Sequence, residues 1–434
     1  MRILRRLLGV IGSVALAAVV STSTAVASPA ASRWVGAWAA SAQATFANLG
    51  ETGISVDSVC PAPKGLDNET VRDVVSPSVS GSKVSVRLSN AFGRSPLAIG
   101  AASVGIDLSG ASAVPHTLRS LTFGGTRSLT VPAGGQAMSD PVSLSVKPSE
   151  NLLISIYVSG STTSVTEHWD AQQDSFVTSG NHALTQSDGP FVSGLMTCWM
   201  LADRVDVLAA SRVRGTVVAL GDSITDGFLS DFNSNSRWPN DLARRLVALP
   251  GPTLSVTDEG IWGNEILADT QCCGVSTLAR LDRDVFEQPN VRDIIFLEGI
   301  NDIGCSETAF ALCTGSTPDI TAAKVIDGDK QIIARAHRRG LRIIGATMTP
   351  FKNSEEYAPG YWTPLKERIR ELVNAWIRQP GHFDGVVDFD RAVADPHDPQ
   401  ILNPVYDGGD HLHPNDAGYE AMARAIDLSA LLKR

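Results

Sequence analysis

From Arg214 to the C-terminus, strand-like runs alternate with helical ones, and this alternation constrains the fold more than any other feature of the 434-residue chain. The apolar runs Thr216–Leu220, Leu254–Thr257, Val291–Leu297, Leu341–Thr347 and Gly385–Phe389 read as strands. Between and after them, helical patterns cover Trp238–Leu249, Lys330–Arg339 (stopped by Gly340), Pro364–Arg378 and Asn415–Leu432. Strands that alternate with helices imply a parallel sheet covered on both faces. Right-handed crossovers then bring every strand's carboxyl end to one edge, where polar residues from distant parts of the sequence converge.

Four of those ends carry glycine or polar signatures: Gly221, Asp222, Ser223; Gly260 to Asn264 (GIWGN); Gly299 to Asp302 (GIND); and Asp410 to His413 (DHLH). Ser223 falls at a tight strand-to-helix turn in VVALGDSITDG, a place that suits a nucleophile. The plainer reading of that turn is a helix cap at Asp222 or Ser223 with Gly221 making the bend. Likewise Asn301 and Gly263 each have a plain reading as turn residues chosen for backbone freedom. Together, however, the four blocks supply what serine hydrolysis needs: a nucleophile, a base, a carboxylate to orient it, and oxyanion donors. Of the two histidines in the last block, His413 is favoured over His411. An Asp-x-x-His segment can fold back on itself, whereas adjacent side chains diverge. The group Asp407, Asp410, His411 and His413 is not read as a metal site, because a paired Asp and His already has a use.

In this order and with these residues, the four blocks resemble those of the SGNH (GDSL-type) hydrolases. The stretches Ala219–Gly227, Arg237–Asn240, Leu297–Gly304 and Asp410–Tyr419 look like a secreted branch related to xylan-cluster arylesterases and acylhydrolases. The resemblance implies a flavodoxin-like parallel sheet preceded by a β-rich region. It also implies Ser223 as nucleophile, His413 as base and Asp410 as its orienting carboxylate, with Gly263, Asn301 and the Ser223 amide as oxyanion donors. No cofactor and no metal is expected. Two features depart from the usual pattern. Trp262 stands where relatives have a small residue, so that it narrows the pocket or stacks on an aromatic or sugar group, and the pair Cys272, Cys273 follows on the next loop.

Between about Arg33 and Ala210 the chain reads as β. Lys83–Asn90 alternates, with Val84, Val86 and Leu88 on one face and Ser85, Arg87 and Ser89 on the other. Ser120–Phe123, Leu129–Val131, Val142–Val146, Leu152–Val158 and Ser164–Trp169 are further strands between turn residues, the spacing of a sandwich or jelly roll. His168, beside Glu167 and Trp169, reads as structural ahead of a ligand contact, and the region as a scaffold ahead of a carbohydrate-facing module.

Arg2, Arg5 and Arg6, an apolar run from Leu7 to Val20 and the triplet Ala25-Val26-Ala27 form a secretion signal over 1–27. The expected organisation is therefore a signal peptide over 1–27, a β-rich domain over 33–210 and a hydrolase domain over 214–434. Without the three signal arginines, 33 basic residues face 46 acidic ones, a formal charge of −13, which argues against nucleic acid or an anionic membrane as partner. No later segment reads as a membrane anchor. Six cysteines in an exported chain are read as structural, with connectivity left open and at least one bridge expected in the Cys305 and Cys313 loop.

The expected function is a secreted serine esterase acting on short acyl, notably acetyl, esters of small molecules or plant polysaccharides. A lipase or thioesterase of the same family, or a glycan-binding protein with an inactive hydrolase-like domain, are the alternatives. The sequence leaves the oligomeric state open.

Overall fold

The computed structural model describes residues 33–45, 60–61, 64–270, 272–310, 313–356 and 358–433. The expected signal over 1–27 lies outside them. We label β1 Val213–Gly221, β2 Thr253–Gly260, β3 Val291–Leu297, β4 Arg342–Ala346 and β5 Gly385–Val387. All are parallel and stand in the order β2-β1-β3-β4-β5. This is the doubly wound 2-1-3-4-5 arrangement of flavodoxin-like sheets, whose switch point lies between the ends of the first and third strands. β1 and β3 are apolar on both faces because both faces are covered. Helices Trp238–Ala248 and Asp416–Ala425 pack together, and so do Ala322–Arg338 and Pro364–Ile377. One continuous apolar core runs between the sheet and these helices.

The local differences from the sequence reading come from capping. The Ala322–Arg338 helix begins a good two turns earlier than its apolar pattern suggests, because Thr321 accepts the Lys324 N–H and starts it. Phe389 opens a short helix rather than ending β5, with Asp388 as its cap. The closing helix stops at Ala425 and restarts at Leu428, because Asp427 accepts the Ser429 and Ala430 N–H groups.

Ahead of β1 the strands are antiparallel. One sheet holds Arg33–Ala39, Ala202–Ala209, Gly81–Ser89 and Val142–Val146 in that order, with Gln136–Met138 alongside. A second centres on Leu66–Val75, Leu152–Thr162 and Leu97–Ser109, and the two sheets share one apolar core. A small third sheet pairs Gln43–Ala44, Thr166–His168 and Trp199–Met200. Of the expected Ser120–Phe123 only Ser120 lies in a strand, Arg119–Ser120, and Phe123 makes an isolated bridge to Thr126.

On the polar face of Gly81–Ser89, Ser85, Arg87 and Ser89 are buried while Lys83 is exposed. Arg87 pairs with Asp203 at 2.7 Å, and it reaches Glu287 of the α/β half at 3.3 Å. Strand Arg33–Ala39 lies close beside β1 and β2, and Gly36 permits the approach. A Cβ there would meet Gln288 Oε1 at 2.8 Å and Thr257 Cγ2 at 2.9 Å. The described residues thus pack as one unit.

Candidate active site

β1 ends at Gly221, and Asp222 Oδ1 accepts the Ile224 N–H at 2.9 Å, capping a single helical turn, α1, Ser223–Asp226. Gly227, at φ +89°, ends it, and a Cβ there would lie 2.2 Å from Arg237 Cγ. The cap expected from Asp222 is therefore present, and it leaves the Ser223 hydroxyl free. Ser223 Oγ lies 2.8 Å from His413 Nε2, and His413 Nδ1 lies 2.6 Å from Asp410 Oδ2. Asp410 Oδ1 accepts the Leu412 and His413 N–H groups at 3.0 and 2.8 Å, which folds the Asp-x-x-His segment back on itself. Burial raises the Asp410 carboxyl, but the neighbouring His413 and these N–H groups outweigh it and hold the carboxyl below its ordinary value. The Phe228 ring sits edge-on to the His413 imidazole at 4.7 Å. His411 turns elsewhere, to Asp407 Oδ2 at 2.6 Å.

The second and third blocks close around the same point. Gly263, at φ +69°, has no room for a side chain, since a Cβ would meet Cys273 Sγ at 2.5 Å. Asn301 lies in the short helix α2, Ile300–Cys305, which follows β3. Its Oδ1 accepts the Tyr361 hydroxyl at 2.6 Å, which fixes the orientation of the amide. Its Nδ2 donates to Asn264 O at 2.9 Å and keeps a second N–H. Ser223, Gly263, Asn301 and His413 line one cleft, walled by Trp262, Cys273, Phe310 and Tyr361.

Trp262 is 5% exposed and meets Trp169 and Phe228 edge-on at 5.1 and 6.1 Å. It also lines the cleft beside Gly263 and Cys273. The cysteines form three bridges, Cys60–Cys198, Cys272–Cys273 and Cys305–Cys313, and two of them touch this cleft through Cys273 and Cys305.

Several supporting residues escaped the sequence reading. Asn264 donates to Cys273 O and Val275 O, and its Oδ1 accepts from Arg280 Nε at 2.9 Å. Asp302 accepts the Ile266 and Leu267 N–H groups, with burial pushing its carboxyl up to about 6. Both stand in the sequence blocks and were findable there. Tyr361 and Arg280 carry no motif and were not.

A serine hydroxyl, an imidazole and a carboxylate in line, beside a side-chain amide and glycine backbone at a sheet's switch point, can perform nucleophilic acyl transfer. Residues 219–421 match the model of the GDSL-like lipase/acylhydrolase family. This segment is a GDSL-like lipase/acylhydrolase domain. Within it stand β1's carboxyl end, the cleft and the Asp410–His413 segment. None of the curated proteins matches the chain. Among solved structures, a GDSL-like lipase from Bacteroides thetaiotaomicron is similar at 18% identity, over 50% of this chain and 89% of its own, with a TM-score of 0.37. An acetylxylan esterase from Geobacillus stearothermophilus is similar at 20% identity, over 48% and 91%, with a TM-score of 0.36. No helix among the described residues is long and apolar enough to cross a membrane.

Proposed function

We propose that the protein is a secreted serine esterase that removes short acyl groups, above all acetyl, through a covalent acyl-enzyme. The observation that carries this reading is the unbroken line Ser223 Oγ, His413 Nε2, His413 Nδ1, Asp410 Oδ2, with steps of 2.8 and 2.6 Å. His413 takes the Ser223 proton as Oγ attacks the ester carbonyl, and Asp410 holds the imidazole in the tautomer that accepts at Nε2. The oxyanion is held by the backbone N–H groups of Ser223 and Gly263 and the remaining Asn301 amide N–H. His413 then protonates the leaving alcohol, and water repeats the cycle to release the acid.

Trp262, Phe310 and Leu412 line the cleft beside Ser223 and His413. The apolar walls suit a methyl group, and the three disulfides suit export. The β-rich half and the xylan-cluster resemblance favour acetylated plant polysaccharide as the natural substrate.

The test is hydrolysis of nitrophenyl esters from acetate to octanoate, together with acetylated xylan, by the wild type and Ser223→Ala. We expect a maximum at acetate and loss of turnover in Ser223→Ala. A folded protein with no Ser223-dependent turnover, but with retained glycan binding, would replace this reading with that of a binding protein.

A further inference from the structure

The residues that hold the nucleophile turn in place come partly from the β-rich half, more than fifty residues before Ser223. His168 stands on the short strand Thr166–His168, clamped between Gln43–Ala44 and Trp199–Met200. Its Nε2 lies 3.0 Å from Asp226 Oδ1, on the last residue of α1, and its Nδ1 lies 2.9 Å from Ser41 O. Trp199 packs on the imidazole at 5.3 Å. From the same side, the Asp226 carbonyl accepts Arg237 Nε, and Arg237 donates onward to Ala171 O.

Ser41 reaches the other end of the turn. Its Oγ donates to Glu259 Oε2 at 2.7 Å and accepts from Arg280 Nη1 at 2.8 Å. Arg280 Nη2 donates to Gly221 O at 2.8 Å, while Arg280 Nε holds Asn264 Oδ1, and Asn264 O takes the Asn301 amide. All of these side chains are buried. From Ser41, three hydrogen bonds lead to Asn301 and two lead to Gly221.

We propose that His168 and Ser41 are positioning residues for acyl transfer, acting through Asp226 and Arg280 to fix the Ser223 hydroxyl and the Asn301 amide. The inference rests on the serine-esterase reading. It gives the β-rich half a part in turnover that a glycan-holding scaffold would not have. Burial disfavours the His168 imidazolium, but the Asp226 carboxylate and the Ser41 carbonyl outweigh it and raise the pKa, which strengthens the grip on α1. Positioning errors of about 1 Å cost on the order of 100-fold in rate, so a loosened turn acts on kcat and leaves the ground-state cleft intact.

The experiment compares His168→Leu, His168→Gln, Ser41→Ala and the double variant His168→Leu/Asp226→Ala with the full-length wild type. It reads kcat and KM on nitrophenyl acetate, the rate of Ser223 phosphorylation by an organofluorophosphate, and the melting temperature. We expect His168→Leu to lower kcat and the phosphorylation rate about 10- to 100-fold with KM nearly unchanged. His168→Gln, which keeps a donor toward Asp226, should recover most of both rates, and the double variant should be no slower than His168→Leu. Ser41→Ala should lower kcat at unchanged KM.

A folded His168→Leu enzyme with wild-type rates overturns the inference, as does equal impairment of the Leu and Gln variants. If His168→Leu does not fold, wild-type kcat in Ser41→Ala overturns it. Wild-type turnover that Ser223→Ala abolishes but His168→Leu leaves untouched sinks this inference alone. Equal rates in the wild type and Ser223→Ala sink the esterase reading and the inference with it.

Discussion

Asn301 carries its amide in an orientation that two neighbours dictate: Tyr361 donates to its oxygen and Asn264 O takes one of its protons. In the proposed oxyanion role, the remaining N–H meets negative charge only when the carbonyl carbon becomes tetrahedral, so losing it would act on the transition state and spare substrate binding. Asn301→Ala should lower kcat roughly 10²- to 10³-fold, about 3 to 4 kcal/mol, at nearly constant KM. A folded variant with raised KM and unchanged kcat would make Asn301 a binding or turn residue. Tyr361→Phe makes a companion case, because it leaves the buried Asn301 oxygen without that donor. We expect a loss of about 1 kcal/mol in transition-state stabilisation, roughly fivefold in kcat. If Tyr361→Phe matches the wild type in steady-state kinetics, the hydroxyl does not orient the amide.

At the scale of elements, the short helix that carries Asn301 ends at Cys305, whose bridge to Cys313 ties down the segment flanking the cleft. Opening that bridge frees a loop and leaves the main sheet intact. The pair Cys305→Ser/Cys313→Ser should therefore lose several-fold in kcat while keeping its far-ultraviolet circular dichroism, and a folded pair with full turnover would disprove this.

Legibility from sequence also divides by element. β1 and β3 were plain because strands buried on both faces are continuously apolar, and β1's end was plain because Gly221, Asp222 and Ser223 mark a turn. The long strand Leu66–Val75 was hidden by Arg72 and Asp73. They look like surface residues, but Arg72 is buried and donates to Ala111 O, Thr185 O and Ser155 Oγ. His168 looked like an isolated histidine because its partner, Asp226, lies 58 residues away. Local periodicity reports which face of an element is buried, and it cannot report what lies on the far side of that face. For this reason the proposed nucleophile and base could be named from sequence, whereas the His168 contact behind them could not.

For the molecule as a whole, the buried acids set a pH dependence of stability. Burial pushes Asp170, Asp222 and Asp258 up to about 7 and Glu298 up to about 8. Unfolded carboxyls titrate near ~4, so between there and the folded values the native chain holds protons that the unfolded chain has released. Their contribution is complete below the unfolded value and is lost as pH rises through the folded one, at up to about 1.4 kcal/mol per pH unit for each proton. The raised His168 acts in the same direction. The depressed carboxyls Asp388 and Asp410 are already ionised in both states above pH ~5 and add no slope there. The melting temperature should therefore fall between pH 5 and 8. A flat or rising trend by calorimetry would show that these acids are better solvated than their burial implies.

The contact between Ser41, His168 and the nucleophile turn also bears on how genes of this kind are counted. A fragment that opened at Arg214 would contain all four blocks, and a survey that reads motifs would score it as a complete hydrolase. It would nevertheless lack the imidazole that grips Asp226 and the hydroxyl that braces Arg280. Under the positioning proposed above, two such genes, one with the preceding strands and one without, would share every diagnostic letter and differ in how firmly the Ser223 hydroxyl is held.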